Sequence, residues 1–363
     1  MRIAESCLIP YRLPLRRPWC SARGCFSARS GWLARLKTHD GLCGYGDCAP
    51  LPEAGTESPE AALAQLCASL PLLRGASPRE ALDGLASPLL ALTPAARCAL
   101  ETALLDLLAQ QAGVPLARWL NPDAPLSVKT NQTIGELDGT AASRASSAMD
   151  EGFSVLKLKI GLNTPENELA QLRSLSEILQ PGTRLRLDAN GAWSLAQAQQ
   201  FISGLSGLPI ESLEEPLRAP QIDLLRRLQA LAPFPLALDE SLARTGIDDP
   251  LAAQAVRRLV LKPMVLGGVL PALALARRAQ YAGVECVATT TVDSAVGVLA
   301  AVHLAAALAN ELAHGVATSS WLQADVGNAP ATRSARLELD SRKAGLGFCA
   351  TAGARLLPSH KWA

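Results

Sequence analysis

From residue 155 to residue 263 the chain repeats one unit, a short apolar run that ends in a charge. Val155-Leu156-Lys157-Leu158-Lys159-Ile160 carries two lysines, and Leu185-Arg186-Leu187 runs into Asp188-Ala189-Asn190. Ser212-Leu213 runs into Glu214-Glu215-Pro216, Leu236-Ala237-Leu238 into Asp239-Glu240-Ser241, and Leu259-Val260-Leu261 into Lys262-Pro263. The charges at 159, 188, 214, 239 and 262 stand 29, 26, 25 and 23 residues apart. Each interval is one strand with its returning helix, so each charge falls at a similar height on the next strand. Residues two apart on a strand share a face, so Lys157 and Lys159 point the same way. Taken alone, that lysine face also suits a solvated edge strand. Five charged residues in phase on five consecutive strands do not.

The same rhythm extends in both directions. Apolar strands are expected near 128–134, 155–160, 185–187, 210–213, 236–238, 258–261, 285–289 and 314–317, with helices such as 164–179 and 195–205 between them. Eight strand–helix periods predict an α/β fold, a (β/α)8-type barrel over 123–329, whose active sites lie at the C-terminal ends of the strands. Residues 1–122 read as a separate α+β domain. Two alternating runs flank His39-Asp40-Gly41, a hairpin signal, and 16–24 break the alternation and read as a loop. Ser58-Pro59-Glu60 caps a helix, and helical periodicity then dominates to about residue 120. Residues 330–363 form a third segment, in which 336–339 are expected to return as a strand to the first domain, with the last residues peripheral.

Composition excludes several function classes. Lys+Arg 34 against Asp+Glu 33 gives a net charge of +1, and no basic run points to a nucleic-acid or membrane partner. Residues 1–14 lack an apolar core of signal-peptide length. The Ala-rich run 296–312 holds His303, Asn310 and Glu311 and reads as a buried helix. Nine cysteines show no metal-ligand spacing and are expected to be reduced, as in a cytoplasmic protein. No pattern specifies an oligomeric state.

Three carboxylates on consecutive strands, Asp188, Glu214 and Asp239, would repel one another unless a cation joined them. All-oxygen donors favour a hard divalent ion, Mg²⁺ before Ca²⁺. Any one of the three, taken singly, also fits a helix N-cap. Lys159 and Lys262 lie four strands apart, on opposite sides of an eight-stranded barrel, with the carboxylate strands between them. That arrangement suits removal of the proton next to a metal-bound carboxylate, with Lys157 and the metal lowering the pKa of Lys159. The expected ligand is a small carboxylate substrate.

These motifs (Lys157-x-Lys159, Asp188-x-Asn190, Glu214-Glu215-Pro216, Asp239-Glu240-Ser241, Lys262-Pro263) resemble those of the enolase superfamily, in its muconate-lactonizing-enzyme subgroup. The likeness covers nearly the whole chain and implies an enolase-like modified TIM barrel with a capping domain. It implies Asp188, Glu214 and Asp239 as Mg²⁺ ligands (Mn²⁺ a possible substitute), Lys159 as the base and Lys262 as the opposite lysine. Asn190, Glu215 and Glu240 would support them, and the likeness also decides for Glu214 over Glu215 as a ligand. Within the subgroup the chain is most similar to the o-succinylbenzoate synthases, which dehydrate a cyclohexadiene carboxylate. N-succinylamino-acid racemases, dipeptide epimerases, muconate cycloisomerases and a non-catalytic metal-binding paralogue are the alternatives. Residues 317–325 lack the Asp-x-Asp of dipeptide epimerases. The likeness also implies substrate contacts from Trp19, Glu53, Gly55 and Thr56 in loops 19–25 and 52–57, and from Thr289, Thr290, Thr291, Asp293 and Ser294. The loops equally suit plain surface connections and the threonines strand filler.

Overall fold

A computed structural model describes residues 1–21, 24–85, 91–242, 251, 253–350 and 360–362. The first domain is a four-stranded antiparallel sheet in the order β14-β1-β2-β3, where β1 is Ile3–Ser21, β2 Gly24–Thr38, β3 Cys43–Cys48 and β14 His360–Trp362. Asp40 and Gly41 make the β2–β3 turn, as their sequence predicts. The expected loop at 16–24 is different: β1 and β2 run on as one long hairpin that pairs Trp19 with Phe26 and Ser21 with Gly24, past a register shift after Pro14. Alternation fails there because Arg16 and Arg17 are exposed, so no buried face imposes a period of two.

Helix Pro94–Gln111 packs on this sheet and is buried along most of its length. Its first turn is capped from a distance, because the Glu57 carboxylate accepts from the backbone N–H groups of Ala95 and Ala96 and from the Thr93 hydroxyl. Contact with the sheet is close at Gly44 and Gly46, which face the backbone carbonyls of Ala103 and Ala99. A Cβ at residue 46 would collide with Ala99, so Gly46→Ala is expected to cost about 3 kcal/mol, read as a lower urea midpoint.

The second sheet is parallel, in the order β11-β10-β9-β8-β7-β6-β5: Gln132–Glu136 (β5), Val155–Lys159 (β6), Arg184–Asp188 (β7), Ile210–Glu214 (β8), Leu236–Leu238 (β9), Arg258–Leu261 (β10) and Glu285–Ala288 (β11). The eighth expected strand is reduced to two bridges, Thr130 to His314 and Thr289 to Gly315, which link the seventh position to the first. The predicted run 128–134 divides into β4 (Ser127–Lys129) and β5. β13 (Arg336–Glu338), hydrogen-bonded to β12 (Thr332–Arg333), pairs with β4 and not with the first domain. The strand that returns to the first domain is β14, in the segment expected to be peripheral.

Inside the barrel the side chains form layers. On β6, Leu156 and Leu158 are fully buried, whereas Lys157 and Lys159 face the interior. Below the lysines, Ala237, Val260 and Val287 make a small apolar plug separate from the main core. Around it lies an ion network built on two buried arginines. Arg186 donates to both Glu211 oxygens and to Asn131 Oδ1, and Arg258 bridges Glu211 and Glu285.

Helix Ala295–Ala307 is entirely buried, and no helix among the described residues is long and apolar enough to cross a membrane. Among the described residues seven cysteines are free, but Cys25 is in a disulfide, contrary to the expectation of an all-reduced set.

Two histidines are buried in the neutral form. His303 Nδ1 accepts from Ala117 N (2.9 Å) and His314 Nδ1 from Ala288 N (3.0 Å), so protonation of either ring breaks a bond. Burial pulls His303 down to about 4, and burial with Arg186 and Arg258 pulls His314 down to about 3. The unfolded chain therefore binds more protons below the usual histidine pKa, and stability falls as pH falls through that window. For His303 alone the loss between about pH 6.5 and 4 is about 3 kcal/mol. Calorimetric Tm should drop steeply from pH 6.5 to 4.5, and a flat profile would contradict this assignment.

Candidate active site

The strand register brings the sequence-predicted residues together. Lys159 pairs with Asp188 across β6–β7, and Asp188 with Glu214 across β7–β8; Asp239 follows the end of β9 and Lys262 the end of β10. All five line one cavity of about 340 Å³ between the barrel mouth and the capping domain. Asp188, Glu214 and Asp239 are 0%, 1% and 6% exposed. Such carboxylates need counter-charge, and here ammonium groups supply it. Lys157 Nζ donates to both Glu214 oxygens (2.7 and 2.8 Å) and lies 2.9 Å from Asp188 Oδ2. Lys159 Nζ donates to Asp188 Oδ2 (2.6 Å) and Asn190 Oδ1 (2.5 Å), and Lys262 Nζ to Asp239 Oδ2 (2.5 Å).

The electrostatics follow from this packing. Burial pulls Lys157 down, but Asp188, Glu214 and Asp239 outweigh it and hold its ammonium well above the ordinary lysine range. Lys262 is raised in the same way, burial being outweighed by Asp239, Glu240 and Glu214. For Asp188, burial acts upward, but Lys157 and Lys159 hold it below the usual carboxylate range. Asp239 is pushed up by burial and by Glu240, against the pull of Lys262. Lys157 is thus a firmly charged partner of two carboxylates.

Glu214 and Glu215 have different tasks. Glu214 faces Lys157, whereas Glu215, in a left-handed backbone conformation (φ 46°), turns away from the cavity. Its carboxylate accepts from Asp239 N (2.7 Å), Ser241 N (2.8 Å) and Ser241 Oγ (2.5 Å), which fixes the turn that carries Asp239. Asn190 is also left-handed (φ 46°). Its N–H donates to Asp188 Oδ1 and its Nδ2 to Glu240 Oε1, so it braces the third and fifth strand ends together. The turn after Lys262 is held by the capping domain: Arg97 donates to Gly267 O (2.5 Å), and Leu270 N donates to Glu101 (3.1 Å).

Among the described residues no three His, Cys, Asp or Glu side chains are gathered as a ready metal site, since lysine ammonium groups stand among the carboxylates. The chemistry of the donor set nevertheless fits a hard divalent cation. Three buried carboxylates at one height supply only oxygen and already require positive charge between them. Asp188, Glu214 and Asp239 are the residues that would hold it.

The expected substrate contacts divide. Trp19, Glu53, Thr289, Thr290 and Thr291 line the cavity; Gly55, Thr56, Asp293 and Ser294 do not. Thr56 Oγ1 accepts from Leu51 N and closes its own loop, and Ser294 donates to Asp47 of β3. Even the lining threonines are engaged: Thr289 donates to Gly315 O, Thr290 shares a hydrogen bond with Thr318, and Thr291 donates to Asp293. Sequence reading missed Arg29 and Asn131, both on the cavity wall. Asn131 Oδ1 accepts from Arg186, which fixes the amide orientation and leaves Nδ2 buried without a partner.

Comparison with known proteins agrees with this geometry. The mandelate racemase/muconate lactonizing enzyme N-terminal domain family matches residues 4–120, and the enolase C-terminal domain-like family matches 140–351. The chain is 26% identical to N-succinyl-L-Arg/Lys racemase of Bacillus cereus over 311 residues, 84% of each chain. The crystal structure of that racemase superposes with a TM-score of 0.91 over 100% of both chains, at 23% identity. An o-succinylbenzoate synthase of Thermosynechococcus vestitus is 34% identical over 236 residues, 64% of this chain and 66% of its own. A dipeptide epimerase of Enterococcus faecalis, solved with Mg and the dipeptide L-Leu-L-Tyr, superposes with a TM-score of 0.86 at 27% identity, covering 96% and 99%. The paired lysines, the in-register carboxylates and both domain matches make this chain an enzyme of the enolase superfamily, in its mandelate racemase/muconate lactonizing enzyme branch.

Proposed function

We propose that the protein is an o-succinylbenzoate synthase of the cytoplasm: it removes the proton next to a carboxylate and expels a β-hydroxyl to form an aromatic ring. The observation that supports the chemistry is the placement of Lys159 and Lys262 on opposite sides of one cavity, each tied to a different carboxylate of the Asp188, Glu214, Asp239 set. A bound Mg²⁺ would supply positive charge to the substrate carboxylate and so acidify the neighbouring C–H. Lys159 takes that proton in its neutral form, with Asn190 and Asp188 fixing its Nζ. Lys262 stays protonated and faces the negative charge that develops on the carboxylate. Lys159 then returns its proton to the departing hydroxyl.

The tail of the substrate lies toward Trp19, Glu53 and the threonines of the seventh strand end. No acidic pair follows the eighth strand position. Asp325 Oδ1 instead accepts from Ala295 N at the start of helix Ala295–Ala307, and the residue does not line the cavity. That favours an acyl or succinyl tail over a dipeptide. A second reading, N-succinylamino-acid racemase, draws on the same two-sided lysines, each able to act on one face of the α-carbon.

The deciding experiment supplies Mg²⁺ and the cyclohexadiene substrate and follows formation of the aromatic product by absorbance. Turnover is expected. Failure there, with α-deuterium incorporation into N-succinylamino acids in D₂O, transfers the assignment to the racemase. Failure of both leaves neither the synthase nor the racemase reading standing.

A further inference from the structure

Arg29 of β2 is 3% exposed and lies on the cavity wall, yet nothing in the chemistry above employs it. Its guanidinium donates to three backbone carbonyls from two regions distant in sequence. Nε reaches Val292 O (3.3 Å), Nη1 Pro50 O (3.3 Å) and Nη2 Ala49 O (2.6 Å), while Nη2 lies 3.9 Å from Asp293 Oδ1. The ring of Phe26 lies 5.6 Å from its guanidinium carbon. One side chain therefore ties together a capping strand, the start of the 49–54 loop and the end of the seventh barrel strand. All three segments contribute to the cavity lining.

The barrel end of this clamp is strained. Val292 has φ 60°, a left-handed conformation that a β-branched residue rarely adopts and that persists only when its surroundings impose it. Here they do. Arg29 holds its carbonyl, and two residues on Ser294 N and Oγ donate to Asp47 Oδ2 of β3, whose Oδ1 accepts from Tyr11. A lysine would keep the charge at residue 29 but could not reproduce the planar fork that spans three carbonyls.

We infer that Arg29 is a positioning residue for substrate selection: it sets the separation between the capping loop and the seventh strand end, the two walls that receive the substrate tail. This rests on the carboxylate-substrate reading above. It makes the length of the tail, and not the α-proton chemistry, the property that Arg29 controls.

The test uses the Mg²⁺-loaded enzyme with two variants, Arg29→Lys and the double variant Arg29→Met/Asp293→Asn, which removes both members of the pair so that neither charge is left buried alone. Amide hydrogen exchange is read by mass spectrometry, and α-proton exchange in D₂O is compared for an N-succinyl and an N-acetyl amino acid. In both variants, amides of 49–54 and 289–294 are expected to exchange at least tenfold faster, with 184–190 unchanged. The kcat/KM for the succinyl compound should fall at least tenfold through KM, against less than threefold for the acetyl compound. Unchanged exchange in those two segments, or an unmoved ratio of the two kcat/KM values, overturns the inference. If the wild-type enzyme exchanges neither compound, the racemase reading fails, and the amide exchange alone decides the role of Arg29.

Discussion

Lys159→Ala is expected to lower the rate of α-proton removal by about 10³- to 10⁴-fold, the upper range for loss of a positioned general base. The physical reason is local. Lys159 Nζ is held by Asp188 and Asn190 at 2.6 and 2.5 Å, and its strand is set by fully buried leucines on the opposite face, so no neighbour can move into its place. Lys157 is near but is committed to Glu214 and Asp188 and raised above the ordinary lysine range, which makes it a poor base. Truncation removes one of two ammonium groups on Asp188, and Lys157 remains to balance that carboxylate, so the fold should survive. The check is a single-turnover rate beside an unchanged far-UV spectrum. A variant that retains a tenth of the wild-type rate would sink the assignment of the base.

The second large effect belongs to Glu214→Gln. It removes one of three charges from the carboxylate set while keeping size and shape, so the barrel mouth stays packed. The Mg²⁺ dissociation constant should rise at least about 100-fold, since hard divalent ions depend on anionic oxygen, and kcat/KM should fall by about 10³-fold. Glu215→Gln is the contrasting control. Glu215 lies beside Glu214 in sequence, but its carboxylate accepts from the Asp239–Ser241 turn, so its replacement should disturb metal affinity far less. Isothermal titration with Mg²⁺ separates the two, and equal losses would show that the ligand has been assigned to the wrong glutamate.

The barrel half of the candidate site was legible because a parallel barrel converts sequence interval into height. Lys159, Asp188, Glu214, Asp239 and Lys262 each follow an apolar run, and the strand register or strand ends place them at one mouth. What periodicity could not supply was the task of each neighbour. Glu214 and Glu215 are identical in type, and it is the positive φ of Glu215 together with its bonds to the Asp239–Ser241 turn that shows which one turns away. Lys157 was expected to depress the pKa of Lys159; its place between Glu214 and Asp188 also makes it their counter-ion.

The capping side was less legible. Arg16 and Arg17 of the long hairpin are exposed and print no alternation, and Arg29 reads in sequence as one more polar strand residue. Its partner Val292 is 263 residues away, beyond any local pattern. The threonines of the seventh strand were visible, but not that their hydroxyl groups were already bonded.

The pairing of β14 with β1 sets an order of events during synthesis. Ser6, Cys7 and Leu8 are synthesised well before their partners Trp362, Lys361 and His360. Until then the free edge of β1 presents unpaired backbone groups beside a sheet that is otherwise complete, the situation most prone to mispairing between nascent chains. A chain ending at residue 350 would keep every catalytic residue named above and still lack that edge cover. Its yield of soluble enzyme should depend on expression temperature and on chaperone supply far more steeply than that of the full chain.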